Sequence, residues 1–223
     1  MESGTWTAKM YRGLSSAYMC AIFTLLFWFG FILGLGIFGL APSLRSIFHL
    51  AKLNHRHELI HPVRTFFHYY KKVFFKANQM LWPIFGLIFF ILWDTKIILS
   101  LGLEQEQFFV IFFSILQVIL LLMITYSCSL SEFYELKVFE TLKKSFQFTF
   151  YNLAGSVLTL LITGICFYLS TLLPGLIPFF SIGFWINLVV GIHLRLFEVN
   201  EEKLKGGEKK EHEYQVAQEI TKH

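Results

Sequence analysis

The segment 55–61 contains the sequence pattern of a zinc peptidase. His57 and His61 are four residues apart, and Glu58 directly follows the first of them. On a helix, two histidines at this spacing lie on one face and can bind Zn²⁺, while the glutamate activates the metal-bound water. This chemistry requires that residues 57–61 form a helix.

The surrounding residues argue against a metal site. Pro62 directly follows the second histidine, and a residue before proline is disfavoured in the helical region. The spacing of Glu132, Glu135 and Glu140 is typical of a charged helix surface and not of a third metal ligand. We therefore predict no metal site, no catalytic residue and no cofactor, and we interpret 55–61 as a solvated turn between two cytoplasmic helices.

The composition of the chain indicates a membrane protein. Of 223 residues, 55% are hydrophobic and 15% are charged, whereas a soluble domain has about 25% charged residues. The uncharged runs are long enough to cross a bilayer, which takes about 20 residues. We predict an all-α, polytopic membrane helix bundle with short interfacial cytoplasmic helices. Its five transmembrane helices are expected near residues 18–40, 77–94, 108–130, 148–172 and 177–195.

The distribution of basic residues predicts the orientation of the bundle. Sixteen of the 19 Lys and Arg residues lie in segment 45–76, in segment 132–144 or in the tail from Arg195. Because short cytoplasmic loops carry such an excess, the N-terminus is predicted outside and the C-terminus in the cytoplasm. Residues 1–197 then form the transmembrane domain, and 198–223 form a charged cytoplasmic tail. The basic residues flank the spans, so they do not indicate nucleic-acid binding.

Two predicted cytoplasmic segments, 66–75 and 142–151, combine lysines with aromatic residues just before a span. Their lysines are Lys71, Lys72, Lys143 and Lys144. This composition is typical of helices that lie in the headgroup layer and meet anionic lipid. The alternative is that the two basic-aromatic segments form one platform for the cytoplasmic loops of a partner.

Small and amide side chains in the spans favour helix packing. Gly30 and Gly34 have the GxxxG spacing that allows close helix contact, and Asn78 is suited to bonding across helices. No Asp, Glu, Lys or Arg lies at mid-depth in any predicted span. Because ion-coupled carriers usually have such a group, this pattern argues against an autonomous transporter.

Three blocks of the sequence resemble the YesL-like family of small bacterial membrane proteins. The first is GLAPSLRSIF at 39–48, the second extends from Thr65 to Asn78, and the third is LPGLIPFF at 173–180. The resemblance extends to about residue 197. The chain departs from the family at the loop 55–61, where relatives have a short acidic or glycine-containing turn.

The resemblance implies a non-enzymatic accessory protein in the bacterial cytoplasmic membrane. The family is associated with ABC-type oligosaccharide importers, so the implied partners are permease subunits as well as the lipid bilayer. The candidate residues for partner contact or helix packing are Gly30, Gly34, Pro42, Arg45, Lys71, Lys72, Asn78, Lys143, Lys144, Pro174 and Gly175.

Two other functions stay open at this point. The first is a small channel or carrier that acts alone as a homo-oligomer. The remote alternative is a membrane zinc peptidase that uses His57, Glu58 and His61.

Overall fold

A computed structural model describes residues 3–102 and 105–200 of the chain, with side chains from Gly13 onward. Within these residues the protein is helical and contains no strand, which confirms the predicted all-α class. The elements are α1 (Ser3–Leu33), α2 (Ile37–His55), α3 (Pro62–Leu101), α4 (Glu106–Phe133), α5 (Val138–Tyr151), α6 (Leu153–Leu172), a 3-10 turn (Pro174–Leu176), a π-helical turn (Ile177–Ser181) and α7 (182–200). Most of the predicted cytoplasmic tail, from residue 201, lies outside the described residues.

Among the described residues, five helical segments are long and apolar enough to cross a membrane. They are Gly13–Leu33, Pro62–Leu101, Glu106–Phe133, Leu153–Leu172 and Pro174–Asn200. At most 33% of the apolar window of each segment is buried inside the protein. Since long apolar helices with such exposed surfaces require hydrocarbon around them, the protein is a polytopic membrane helix bundle.

The first predicted span, 18–40, is divided by a turn. Residues 34–36 separate α1 from α2, and Leu35 and Gly36 in this turn have φ angles of 57° and 76°. Glycine adopts a positive φ readily, whereas leucine does so only where the surrounding structure imposes it. The sequence is apolar on both sides of the turn, so its hydropathy does not indicate the break.

Helix α2 is buried on all sides over two turns, from residue 41 to residue 48. It packs against α1, α3 and α4. A Cβ atom on Gly30 would lie 2.4 Å from Ser43 Oγ, and one on Gly34 would lie 2.1 Å from Gly39 Cα. The small-residue face of α1 is therefore filled by the chain's own α2.

The two basic-aromatic segments belong to different kinds of helix. Segment 66–75 is continuous with the apolar part of the 40-residue α3. Segment 142–151 forms most of α5, a separate amphipathic helix whose buried residues are Thr141, Ser145 and Thr149. Lys72 of α3 and Val138 at the start of α5 line the same cavity, and Lys76 bonds the Leu136 carbonyl just before α5, so segment 66–75 and the start of α5 lie at one end of the bundle. We call this end, formed by residues 45–76 and 132–144, the basic end.

Candidate functional site

A buried carboxylate, that of Glu132, joins three helices at the basic end. Glu132 lies in the last turn of α4, and its side chain is 3% exposed. From α2, Arg45 Nε lies 3.3 Å from Oε1 and His49 Nδ1 lies 2.7 Å from Oε2. From α3, the Tyr69 hydroxyl donates a hydrogen bond of 2.6 Å to Oε1. We call these four residues the Glu132 cluster.

The geometry of the cluster assigns a role to each side chain. A carboxylate only accepts hydrogen bonds, so His49 donates through Nδ1. The His49 ring also stacks on Tyr69, with centroids 3.8 Å apart and planes 2° from parallel, which holds both donors towards Glu132. Because the carboxylate is bonded by its own chain, the cluster is suited to fixing α2, α3 and α4 and not to acid–base catalysis.

Cations from α2 also bind the carboxyl end of α4. Arg45 Nη2 donates to the Ser131 carbonyl at 3.3 Å, and Lys52 Nζ donates to the Glu132 carbonyl. Carbonyls in the last turn of a helix lack partners within it and carry a partial negative charge. Burial lowers the pKa of Lys52, and nearby Arg56 lowers it further, although Glu132 opposes this shift.

A cavity of about 760 Å³ adjoins the Glu132 cluster. It is lined by the four residues of the Glu132 cluster and by the connection between α4 and α5. Helix α3 also contributes Lys72, Lys76 and Gln79. Lys76 Nζ donates to the Leu136 carbonyl at 3.1 Å, which ties this connection to α3. The volume lies within the range of about 300–1,000 Å³ that is typical of small-molecule sites.

A second buried polar cluster surrounds His193 of α7. Ser129 Oγ lies 2.6 Å from His193 Nδ1, and Thr159 Oγ1 lies 3.2 Å from Nε2. The imidazole stacks on Tyr126 with ring centroids 4.6 Å apart, and the Tyr126 hydroxyl lies 3.2 Å from Ser156 Oγ. These contacts join α4, α6 and α7, so the cluster connects the second half of the bundle.

We expect Ser129→Ala to destabilise the protein by about 1 kcal/mol, because His193 loses a partner inside a membrane bundle. Thermal unfolding in detergent measures this change. The matched control is Ser114→Ala, since the Ser114 hydroxyl is exposed and donates to Val110 of its own helix. Equal unfolding temperatures for the two variants would show that the His193 cluster does not stabilise the bundle.

The zinc-peptidase pattern does not form the geometry that zinc binding needs. Residues 56–61 connect α2 to α3 and are not helical, and His57 has a φ of 58°. Helix α3 begins at Pro62, so His57 and His61 do not share a helical face. Among the described residues there is no group of three or more His, Cys, Asp or Glu side chains that could hold a metal.

The other candidate residues are dispersed over the fold. Pro42 is buried in α2, where its carbonyl accepts a bond from Ser46. Asn78 bonds Phe74 and Trp82 of its own helix instead of reaching a neighbour. Pro174 and Gly175 are exposed in the 3-10 turn.

The four lysines of the basic-aromatic segments are all exposed at the basic end. One of them, Lys72, also lines the cavity. Arg45, in contrast, is a member of the Glu132 cluster.

Glu132, His49, Tyr69 and His193 were missed as site residues by the sequence analysis. The interpretation of Glu132 as part of a charged helix surface is wrong, because Arg45, 87 residues away, pairs with it in the interior. The available signal was a cationic residue in α2 within a stretch of otherwise small and apolar residues. That signal indicates a buried counter-charge without saying which carboxylate supplies it.

Comparisons with known proteins support the resemblance in its general form. A family model described as "Protein of unknown function, DUF624" matches residues 20–95, the region that contains Arg45, His49 and Tyr69. The chain is also 29% identical over 201 residues to "Uncharacterized protein YteU" of Bacillus subtilis (strain 168), a match that covers 88% of this chain and 86% of that protein. No solved structure matches the chain. The chain is thus similar to DUF624 proteins over the part that supplies three of the four residues of the Glu132 cluster. This similarity is consistent with the YesL-like resemblance.

Proposed function

We propose that this protein is a non-enzymatic accessory subunit that binds the permease subunits of an ABC-type oligosaccharide importer in the bacterial cytoplasmic membrane. The YesL-like resemblance supplies the class of partner. The observation that carries the proposal is the contact between α3 and α5, which brings the two basic-aromatic segments to one end of the bundle.

The proposed docking surface combines exposed rings with exposed ammonium groups. Phe75 of α3 is 85% exposed, and Phe139 and Phe146 of α5 are 79% and 49% exposed. We define the basic-aromatic platform by its exposed members, which are Lys71, Lys72, Phe75, Phe139, Lys143, Lys144 and Phe146. Aromatic residues are enriched in protein interfaces, and surface cations select partners of complementary charge. Acidic cytoplasmic loops of a permease fit this surface.

Buried polar contacts support the platform from below. Ser127 of α4 donates to Ser145 on the buried face of α5 at 2.9 Å, and Glu132 at the end of α4 is paired with Arg45 of α2. A surface that is already ordered loses less conformational entropy on binding than a mobile one. These buried contacts therefore favour a role in binding a partner.

The test replaces Lys71, Lys72, Lys143 and Lys144 together with glutamine. The variant keeps twelve of the sixteen basic residues assigned to the cytoplasmic side, so we expect normal insertion. The yield of permease subunits that co-purify in mild detergent should fall about tenfold, since each exposed charge contributes up to about 1 kcal/mol. The control is Lys96→Gln, at the opposite end of α3, which should leave the yield unchanged.

Two results would contradict the proposal. One is full recovery of the permease subunits by a normally inserted quadruple variant. The other is recovery of this protein alone from a host that expresses the importer. Solute uptake into vesicles that contain only this protein would instead support the channel or carrier alternative.

A further inference from the structure

The cavity beside the Glu132 cluster has an excess of positive charge. Its four cationic lining residues are Arg45, Lys72, Lys76 and Lys137, and its two carboxylate residues are Glu132 and Glu135. The Glu132 carboxylate already accepts bonds from three side chains of the protein. The Lys, Arg and Glu side chains of the lining therefore leave an excess of two positive charges, which favours an anionic ligand.

The cationic groups approach the cavity from several directions. Lys72, Lys76 and Gln79 line it at spacings of four and three residues, so they share one face of α3 over about 10 Å of its length. Lys137 lines it from the connection between α4 and α5. A ligand in the cavity would have donors on two sides.

Arg45 adds a donor at the buried side of this site. It is 4% exposed, and its Nη1 atom has no hydrogen-bond partner in the part of the chain that the structure describes. A buried donor without an acceptor costs about 1–3 kcal/mol, and more when it is charged. An unpaired guanidinium nitrogen in a residue that lines a cationic cavity therefore indicates a missing acceptor.

The position of the cavity along α3 is also informative. Lys72 precedes the predicted start of the second span at residue 77, whereas Gln79 follows it. With the membrane boundary at this predicted start, the cavity would extend across the level of the lipid phosphate groups. It is open to lipid phosphates as well as to phosphate esters dissolved in the cytoplasm.

We propose that this cavity binds a phosphate group. A phosphate offers several acceptor oxygens and one to two negative charges, which oppose the excess positive charge of the cavity lining. Arginine and lysine are the side chains that proteins use most for phosphate binding. The site does not depend on the proposed permease partner, because its ligand contacts line the cavity and include only Lys72 of the basic-aromatic platform.

The experiment measures ligand-dependent thermal stabilisation of the full-length protein in detergent. One arm adds short-chain phosphatidylglycerol, and the other adds glycerol 3-phosphate at equal ionic strength. A ligand that binds only the folded protein raises the unfolding temperature with its concentration. We expect saturable stabilisation in at least one arm, and the arm that responds identifies the source of the phosphate.

The decisive variant is Lys72→Gln with Lys76→Gln. Both lysines are exposed, so the variant should fold, while its apparent Kd should increase about tenfold from the loss of two charge contacts. The matched control is Lys71→Gln with Lys143→Gln, which removes the same charge from the basic end outside the cavity. It should leave the Kd within about twofold of the wild-type value.

Three results would overturn the proposal. They are no stabilisation in either arm, an unchanged Kd in the cavity variant, and an equal loss of affinity in the control variant. The last result would show that the general positive charge of the basic end, and not the cavity, attracts the ligand.

Discussion

Replacement of Glu132 with alanine is expected to destabilise the folded protein by about 3–5 kcal/mol. The variant leaves Arg45, whose side chain is 5% exposed, as a buried cation without its counter-charge. His49 and Tyr69 lose their acceptor in the same step. Contacts between α2, α3 and α4 should therefore weaken together.

Thermal unfolding in detergent measures this loss, with Glu135→Ala as the matched control. Glu135 is exposed three residues further along the chain, so its removal should change stability by less than about 0.5 kcal/mol. The double variant Glu132→Leu with Arg45→Met should recover much of the lost stability, because no unpaired charge remains. A Glu132→Ala protein as stable as the control variant would contradict the structural role of the cluster.

Replacement of Gly34 with alanine is expected to separate α1 from α2 and to cost about 3 kcal/mol. The new Cβ would lie 2.1 Å from Gly39 Cα and 2.3 Å from Gly39 N. These are backbone atoms, so a side-chain rotation cannot relieve the overlap. The Tyr70 hydroxyl, 2.8 Å away, restricts movement further.

The matched control is Gly86→Ala in α3, where an added Cβ meets no atom within 4 Å. Alanine has the higher helix propensity, so this control should be neutral or more stable by up to about 1 kcal/mol. The measurements are the yield of folded protein from membranes and its unfolding temperature. Similar values for the two alanine variants would show that α1 and α2 are not in the close contact described above.

The helical class and the number of apolar segments could be predicted from the sequence because both depend on local composition. Long uncharged runs directly indicate which segments lie in the hydrocarbon core of the membrane. The turn at 34–36 could not be predicted in this way, since Leu35 and the residues around it are as apolar as a continuous span. The close approach of Gly34 to Gly39 across this turn is a feature of three-dimensional packing that hydropathy does not reveal.

The candidate site shows the same division between local and distant effects. The break of the helix before Pro62 follows from a local steric rule, and the sequence was sufficient to predict it. The burial of Glu132 depends on Arg45, which lies 87 residues away. The spacing of Glu132 from neighbouring glutamates contains no information about that partner, so the residue resembled an ordinary surface carboxylate.

Photo-cross-linking in the native host tests most directly whether the basic-aromatic platform contacts a permease. A photoreactive amino acid replaces Lys143 on the exposed side of α5, or Leu161 on the exposed side of α6 as the control. After irradiation of intact membranes, mass spectrometry identifies the adducts. We expect a permease subunit of an oligosaccharide importer to be cross-linked from position 143 and not from position 161. Adducts with lipid alone from position 143, in cells that express the importer, would contradict the proposed function.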